Sequence, residues 1–294
     1  MTDKIEAINS NNQGTIKQAI SFQGRGLHTG KKSSITIHPA EENTGIIFKR
    51  VDKAGKGTEI LAHWKNTIDL PLCTTIASPD KKIYVRTIEH LMAAFYACGI
   101  DNALIEVNGT EIPIMDGSAL AFVEKIDEAG IKTLPAPRKV FIVTKPLTID
   151  NGYRKITIEP ADTLNIHIST IIRELGKQSW HGDITPNIFK EEISQARTFG
   201  HFKDGLLAQL TRFTSTPVCL GANRKNVIAL GKNAKILNKE GLRYPDELIK
   251  HRLLDLMGDL MLSGGHIQGK ITTVAPVHRL THELLYKTFQ EAII

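Results

Sequence analysis

Residues Asp246 to Ser263 read DELIKHRLLDLMGDLMLS, and two separate stripes can be drawn along them. Leu253, Leu256, Met257 and Leu260 recur at i, i+3, i+4 and i+7, the spacing of a helix face turned to a core. His251, Asp255 and Asp259 recur at i, i+4 and i+8, so on a helix they form a second stripe along one side. Aspartate is a poor helix-interior residue, and two of them in mid-segment need a reason beyond propensity. A metal site is such a reason, because an imidazole and a carboxylate one turn apart can both reach a divalent cation. The competing reading is a solvated face carrying a His–Asp pair, and the rest of the chain has to decide between them.

Working outward, the first half has the same grammar. TIEHLMAAFYAC (87–98) reads as a helix with Thr87 as N-cap and Gly99 as its stop, followed by the strand NALIEV and the turn Asn108-Gly109. EIPIMDGS then leads into a second helix, roughly Ala119 to Ala129. In the C-terminal half, the helix of 246–263 is likewise followed by glycines, the strand GKITTVA and a final helix from about Thr281. SSITIHPA and TGIIFKRV read as strands before the first helix, and KVFIVTKPLTI, RKITIEP and LNIHIST before the second. Met1 to about Thr15 reads as a flexible lead-in, and Arg173 to Asn187 has no clear assignment. Pro135-Ala136-Pro137 favours extended backbone and reads as a linker. The expectation is an α+β protein of two similarly built domains, residues 1–134 and 138–294, joined at 135–137.

Composition sets the outer bounds. The chain has 294 residues, 41% hydrophobic and 23% charged, which is enough for a substantial core. Its net charge of +6 and pI near 9.1 come from dispersed basic residues without interleaved aromatics, so a nucleic-acid partner is not expected. The same bias suits an anionic substrate or an anionic membrane surface. Three widely separated cysteines argue against a disulfide framework and for a reducing compartment. No run of residues reads as a secretion signal or a membrane span, so the expected location is the cytoplasm.

Glu89 and His90 stand on the first half's helix where His251 stands on the second half's. If the halves pack as a pair, His90, His251 and Asp255 supply two imidazoles and a carboxylate, the ligand set of a catalytic zinc with an open fourth position. Glu89 would then sit beside the metal as a general base. A further histidine near such a metal, as His278 in VAPVHRLTH would be, can protonate a leaving amine or stabilise a developing oxyanion, Asp259 can orient it, and the hydroxyl of Thr198 in ARTFG can bond an oxyanion. Taken singly, each of these is more often a surface or structural residue.

The runs GLHTG, TIEHLMAA, GIDNALIEVNGTEIPIMDGSA, ARTFG, LNKEGLRYPDE and HRLLDLMGDL, in this order and followed by His278, resemble the UDP-3-O-acyl-N-acetylglucosamine deacetylases of lipid A biosynthesis. The resemblance implies two α+β domains of like topology, each a mostly antiparallel sheet packed on helices, with the active site between them. It implies zinc, with iron(II) as a substitute, on His90, His251 and Asp255, and the roles given above for Glu89, His278, Asp259 and Thr198. It also puts Phe199 and Arg252 at the substrate site and Leu72-Cys73 at the start of an acyl-chain passage. The chain departs from the family pattern at Arg252 and Ala275, where lysines are usual, at His201, at LTH after His278, and at GANR. These departures leave open a paralogue acting on another acylated amino sugar, or a metal-binding module without turnover.

Overall fold

The computed structural model describes residues 4–173 and 175–290. The first half runs β1 (Ile5–Ile16), β2 (Ile20–Arg25), β3 (Lys32–Pro39), β4 (Ile46–Arg50) and β5 (Glu59–Leu61), then β6 (Thr67–Leu70), β7 (Cys73–Ala77) and β8 (Tyr84–Arg86). Helix α1 (Glu89–Cys98), strand β9 (Ala103–Asn108) and helix α2 (Leu120–Ala129) complete it. The long strand β10 (Ile131–Val143) leads to β11 (Leu147–Asp150), β12 (Lys155–Glu159), β13 (Leu164–Ile172) and β14 (Gly176–Asp183). Then follow the short α3 (Pro186–Ile188), β15 (Phe199–His201), α4 (Phe202–Ala208), β16 (Ile228–Leu230), α5 (Glu247–Leu260), β17 (His266–Val274) and α6 (His278–Gln290).

The chain is α+β, and its two halves repeat one topology. In the first sheet the order is β2-β3-β9-β4-β5, with β9 antiparallel to β3 and parallel to β4. In the second, β17 takes the place of β9: it is antiparallel to β12 and parallel to β13, and the hairpins β11–β12 and β13–β14 flank it. Each half is therefore two hairpins, a helix, a central strand and a helix. The helices of the halves meet at α1 and α5, and one continuous apolar core runs through both sheets. This is why α5 does not divide into a dry and a wet face. Every residue of it except Arg252 is buried, its second stripe included.

Several local expectations are corrected. The N-terminal lead-in is strand from Ile5 onward, because β1 pairs antiparallel along β10 from Ile5↔Val143 to Ile16↔Ile131. Pro135-Ala136-Pro137 lies inside β10 and is not a free linker. There β10 has only β1 as a neighbour, since its pairing with β17 is confined to Val140–Ile142, so the prolines interrupt no second ladder. The stretch without an assignment holds β14, which alternates exposed and half-buried residues against β13 and so carries little apolar signal. Thr87 does not cap α1: it sits at φ 57° and gives its hydroxyl to the buried Glu111, which also holds the backbone of His28 and Thr29 in the GLHTG loop. The final helix begins at His278, not at Thr281, so His278 is the first residue of α6. Among the described residues, no helix is long and apolar enough to cross a membrane.

At the seam between the halves, His266 at the start of β17 stacks on Tyr96 of α1, with ring centroids 4.6 Å apart. Burial, reinforced by the Arg138 charge, lowers its pKa from 6.5 to about 4. The unfolded chain binds a proton here more readily than the folded one, so this contribution to stability is complete above pH 6.5 and is lost as pH falls through 4. The loss amounts to about 3 kcal/mol. In His266→Phe, which keeps the stack, urea-unfolding free energies measured between pH 7 and 4 are expected to fall less steeply than in the parent; parallel curves would exclude this residue as a source of acid lability.

Candidate active site

Helices α1 and α5 cross with almost no clearance. A Cβ added at Gly258 would lie 2.0 Å from the carbonyl oxygen of Glu89. This contact sets His90 against His251, with ring centroids 5.1 Å apart at 87°. Nε2 of His90 and Nε2 of His251 each stand 3.5 Å from Asp255 Oδ1, and the three groups offer ligand atoms that all lie within 4.8 Å of one another. Adjacent ligand atoms of a tetrahedral ion with bonds of 2.0–2.2 Å are about 3.4 Å apart, so the spacing fits a divalent metal.

The donor chemistry fits as well. His251 Nδ1 lies 3.0 Å from the Ala196 carbonyl, which can only accept, so that nitrogen carries the proton and Nε2 offers its lone pair to the site. Burial brings the His251 pKa down to about 4 and keeps the ring neutral. Burial acts to raise the Asp255 pKa, but the flanking imidazoles of His251 and His90 outweigh it and hold the carboxyl well below its usual range.

Two more ionisable groups adjoin the triad, the buried Glu89 and the half-buried His278. Glu89 accepts a hydrogen bond from Thr74 N at 3.0 Å, and its Oε1 is 3.9 Å from His278 Nε2. Burial raises its pKa from 4.5 to about 7, against the opposing charge of His278. On the far side of His278, Nδ1 bonds Asp259 Oδ2 at 2.9 Å. Burial disfavours the imidazolium, but the Asp259 carboxylate overrides it and raises the His278 pKa well above 6.5.

Thr74 and His282 are participants that sequence reasoning missed. The Thr74 hydroxyl donates to Asp259 Oδ1, so it accepts the contact from His282 Nε2, 3.1 Å away. His282 follows His278 by one helical turn, a pairing visible in HRLTH once α6 is known to begin at His278. Nothing in CTT marks Thr74.

The remaining candidates lie along a cavity of about 740 Å³ beside the triad. Leu72, Thr198, Phe199 and Arg252 line it. The Arg252 guanidinium covers the Phe199 ring at 4.9 Å and reaches toward Asp255 Oδ2 at 3.6 Å, which joins the cavity to the triad. Cys73 is not in the wall: its side chain is buried, and its sulfur lies 3.6 Å from Arg86 Nη2. Thr198 and Phe199 are held in place from behind. The buried Arg197 makes hydrogen bonds of 2.7 and 3.1 Å to Glu247, the first residue of α5 and fully buried.

Two imidazoles and a carboxylate spaced for a divalent ion, a second carboxylate beside them and a histidine paired with an acid form the layout of a metal-assisted hydrolase. Known proteins specify the class. Residues 13–290 match the LpxC family, described as UDP-3-O-acyl N-acetylglycosamine deacetylase. The chain is 40% identical over 275 residues to the UDP-3-O-acyl-N-acetylglucosamine deacetylase of Citrifermentans bemidjiense, covering 93% of this chain and 87% of that one. It is 36% identical over 281 residues to the enzyme of that name from Campylobacter jejuni, covering 95% and 92%. The chain belongs to this deacetylase family.

The Arg197–Glu247 pair ties the ARTFG segment to the helix that carries His251 and Asp255. Removing the cation strands a buried carboxylate, which is strongly destabilising. Arg197→Leu is expected to lower the unfolding free energy by about 3–5 kcal/mol in urea titrations, and a loss below about 1 kcal/mol, the value of an exposed pair, would mean that the pair is not sealed from water.

Proposed function

We propose that this protein removes the N-acetyl group from UDP-3-O-acyl-N-acetylglucosamine, a step of lipid A biosynthesis, with zinc held by His90, His251 and Asp255. The observation that carries the reading is the placement of Glu89 and His278 side by side next to a three-ligand pocket, in a chain of this family. Two nitrogens and one oxygen suit zinc, and they would also accept iron(II). When bound, the ion would polarise the acetamide carbonyl and lower the pKa of water. Glu89 takes the proton from the attacking water, whose oxygen bonds to the carbonyl carbon. Thr198 offers a hydroxyl to the developing oxyanion. As the C–N bond breaks, His278 gives its proton to the departing nitrogen, and acetate leaves the free 2-amino sugar.

Asp259 keeps His278 charged and correctly turned, with Thr74 and His282 holding Asp259 in turn. Phe199 and Arg252 would meet the sugar and its phosphates, and Leu72 would stand at the start of the acyl-chain path, with the buried Cys73 behind it and out of reach of the chain. A cytoplasmic location, supported by free Cys73, Cys98 and Cys219, and peripheral contact with the inner-membrane surface belong to the same reading.

Two measurements test it. Zinc titrated into metal-free protein should bind one ion per chain, and His90→Ala, His251→Ala or Asp255→Ala should each weaken binding by orders of magnitude; full affinity in all three would remove the site. In deacetylation assays, Glu89→Gln and His278→Ala should keep zinc yet lose about a hundredfold or more in kcat. His282→Phe should lower kcat by about tenfold with KM unchanged, as expected for a residue acting through Asp259. Parent-like turnover by Glu89→Gln would require another base.

A further inference from the structure

Helix α4 and the 3₁₀ turns that continue it to Phe213 have an unusual polarity. Phe202, Leu206, Leu210 and Phe213 recur at i, i+4, i+8 and i+11, along one side of the helix. That side faces solvent: Leu206, Leu210 and Phe213 are 58, 73 and 92% exposed. The opposite side, Asp204, Ala208 and Thr211, lines the 740 Å³ cavity. Leu207, together with Leu72 and Ile171 on the cavity wall, is also exposed and extends the apolar surface to the cavity itself. A helix that turns its mixed face inward and its apolar face outward needs an apolar partner.

Charge and area choose between a second copy of the chain and a lipid surface. Lys203 and Arg212 flank the apolar side, and neither makes an ion pair among the described residues. A self-complementary dimer would gather these cations about its axis. One short helix also offers roughly half, or less, of the ~800 Å² per partner that a stable interface buries. An anionic bilayer requires only shallow apolar insertion with cations at headgroup level. We propose that the outer face of α4, from Phe202 to Phe213, docks the protein on an anionic lipid bilayer and opens the neighbouring cavity toward the lipid. This extends the peripheral membrane contact of the functional reading above and gives it a surface.

The test is co-sedimentation of the full chain with phosphatidylcholine vesicles, with and without phosphatidylglycerol, alongside deacetylation of the soluble UDP-sugar. We expect at least about tenfold tighter binding to the anionic vesicles, reduced at least about tenfold by Leu210→Glu or Phe213→Glu. Neither residue lines the cavity, so both variants should turn over the UDP-sugar like the parent, which also reports that they fold. Lack of vesicle binding by the parent, or equal binding by the variants, would overturn the docking face while leaving the deacetylase reading intact. A concentration-dependent dimer in light scattering that either variant dissolves would overturn it in favour of a second copy. Vesicle binding by a protein inactive on the UDP-sugar would support the face and reject the deacetylase reading.

Discussion

At Gly258 the backbones of α5 and α1 come so close that no side chain fits between them. Everything in the active site depends on that crossing. His90 and Glu89 belong to one half of the chain, and His251, Asp255 and Asp259 belong to the other. Their separations are therefore fixed by how two helices touch and not by any local motif. A single methyl group at position 258 would push the helices apart, and the 3.5 Å spacing between imidazole and carboxylate could not survive such a shift. The repeated topology supports the crossing from both sides, because each helix rests on its own sheet.

The electrostatics of the seam follow from the same closeness. Glu89, Asp255 and Asp259 are three buried carboxyls within one small volume, and burial alone would drive all of them toward the neutral acid. They resolve into different states because their neighbours differ. Asp259 has the His278 ring and the Thr74 hydroxyl and stays ionised, with a pKa of about 2, whereas Glu89 is left closer to neutrality. The imidazoles divide in the same way, His251 held neutral and His278 held charged. A donor of lone pairs and a donor of protons are thus made from one residue type by placement alone.

The helix period made the stripe of His251, Asp255 and Asp259 legible in the sequence, and the repeated helix–glycine–strand grammar gave the α+β duplication. What was hidden depended on long-range packing. Thr74 comes to Asp259 from a strand far away in sequence, and no pattern around it announces the contact. β14 alternates too weakly to signal itself, and Pro135 and Pro137 resemble a break because the sequence cannot show that β10 there has a neighbour on one side only. Cys73 and Leu72 are adjacent in sequence, yet the left-handed turn at Leu72, φ 62°, leaves one on the cavity wall and the other in the interior.

The pairing of β1 with β10 bears on how the chain is made. Ile5 waits for Val143, so on the ribosome β1 emerges with its ladder unmet until roughly 140 residues have been added, an interval on the order of ten seconds. Through that time the strand carries unpaired backbone groups, the state most open to wrong partners. It can close only when β10 arrives, and in closing it joins the first residues of the chain to the sheet of the second half. β1 is thus left unsettled while the whole first half of the chain is made, and it is secured only once β10 has been built.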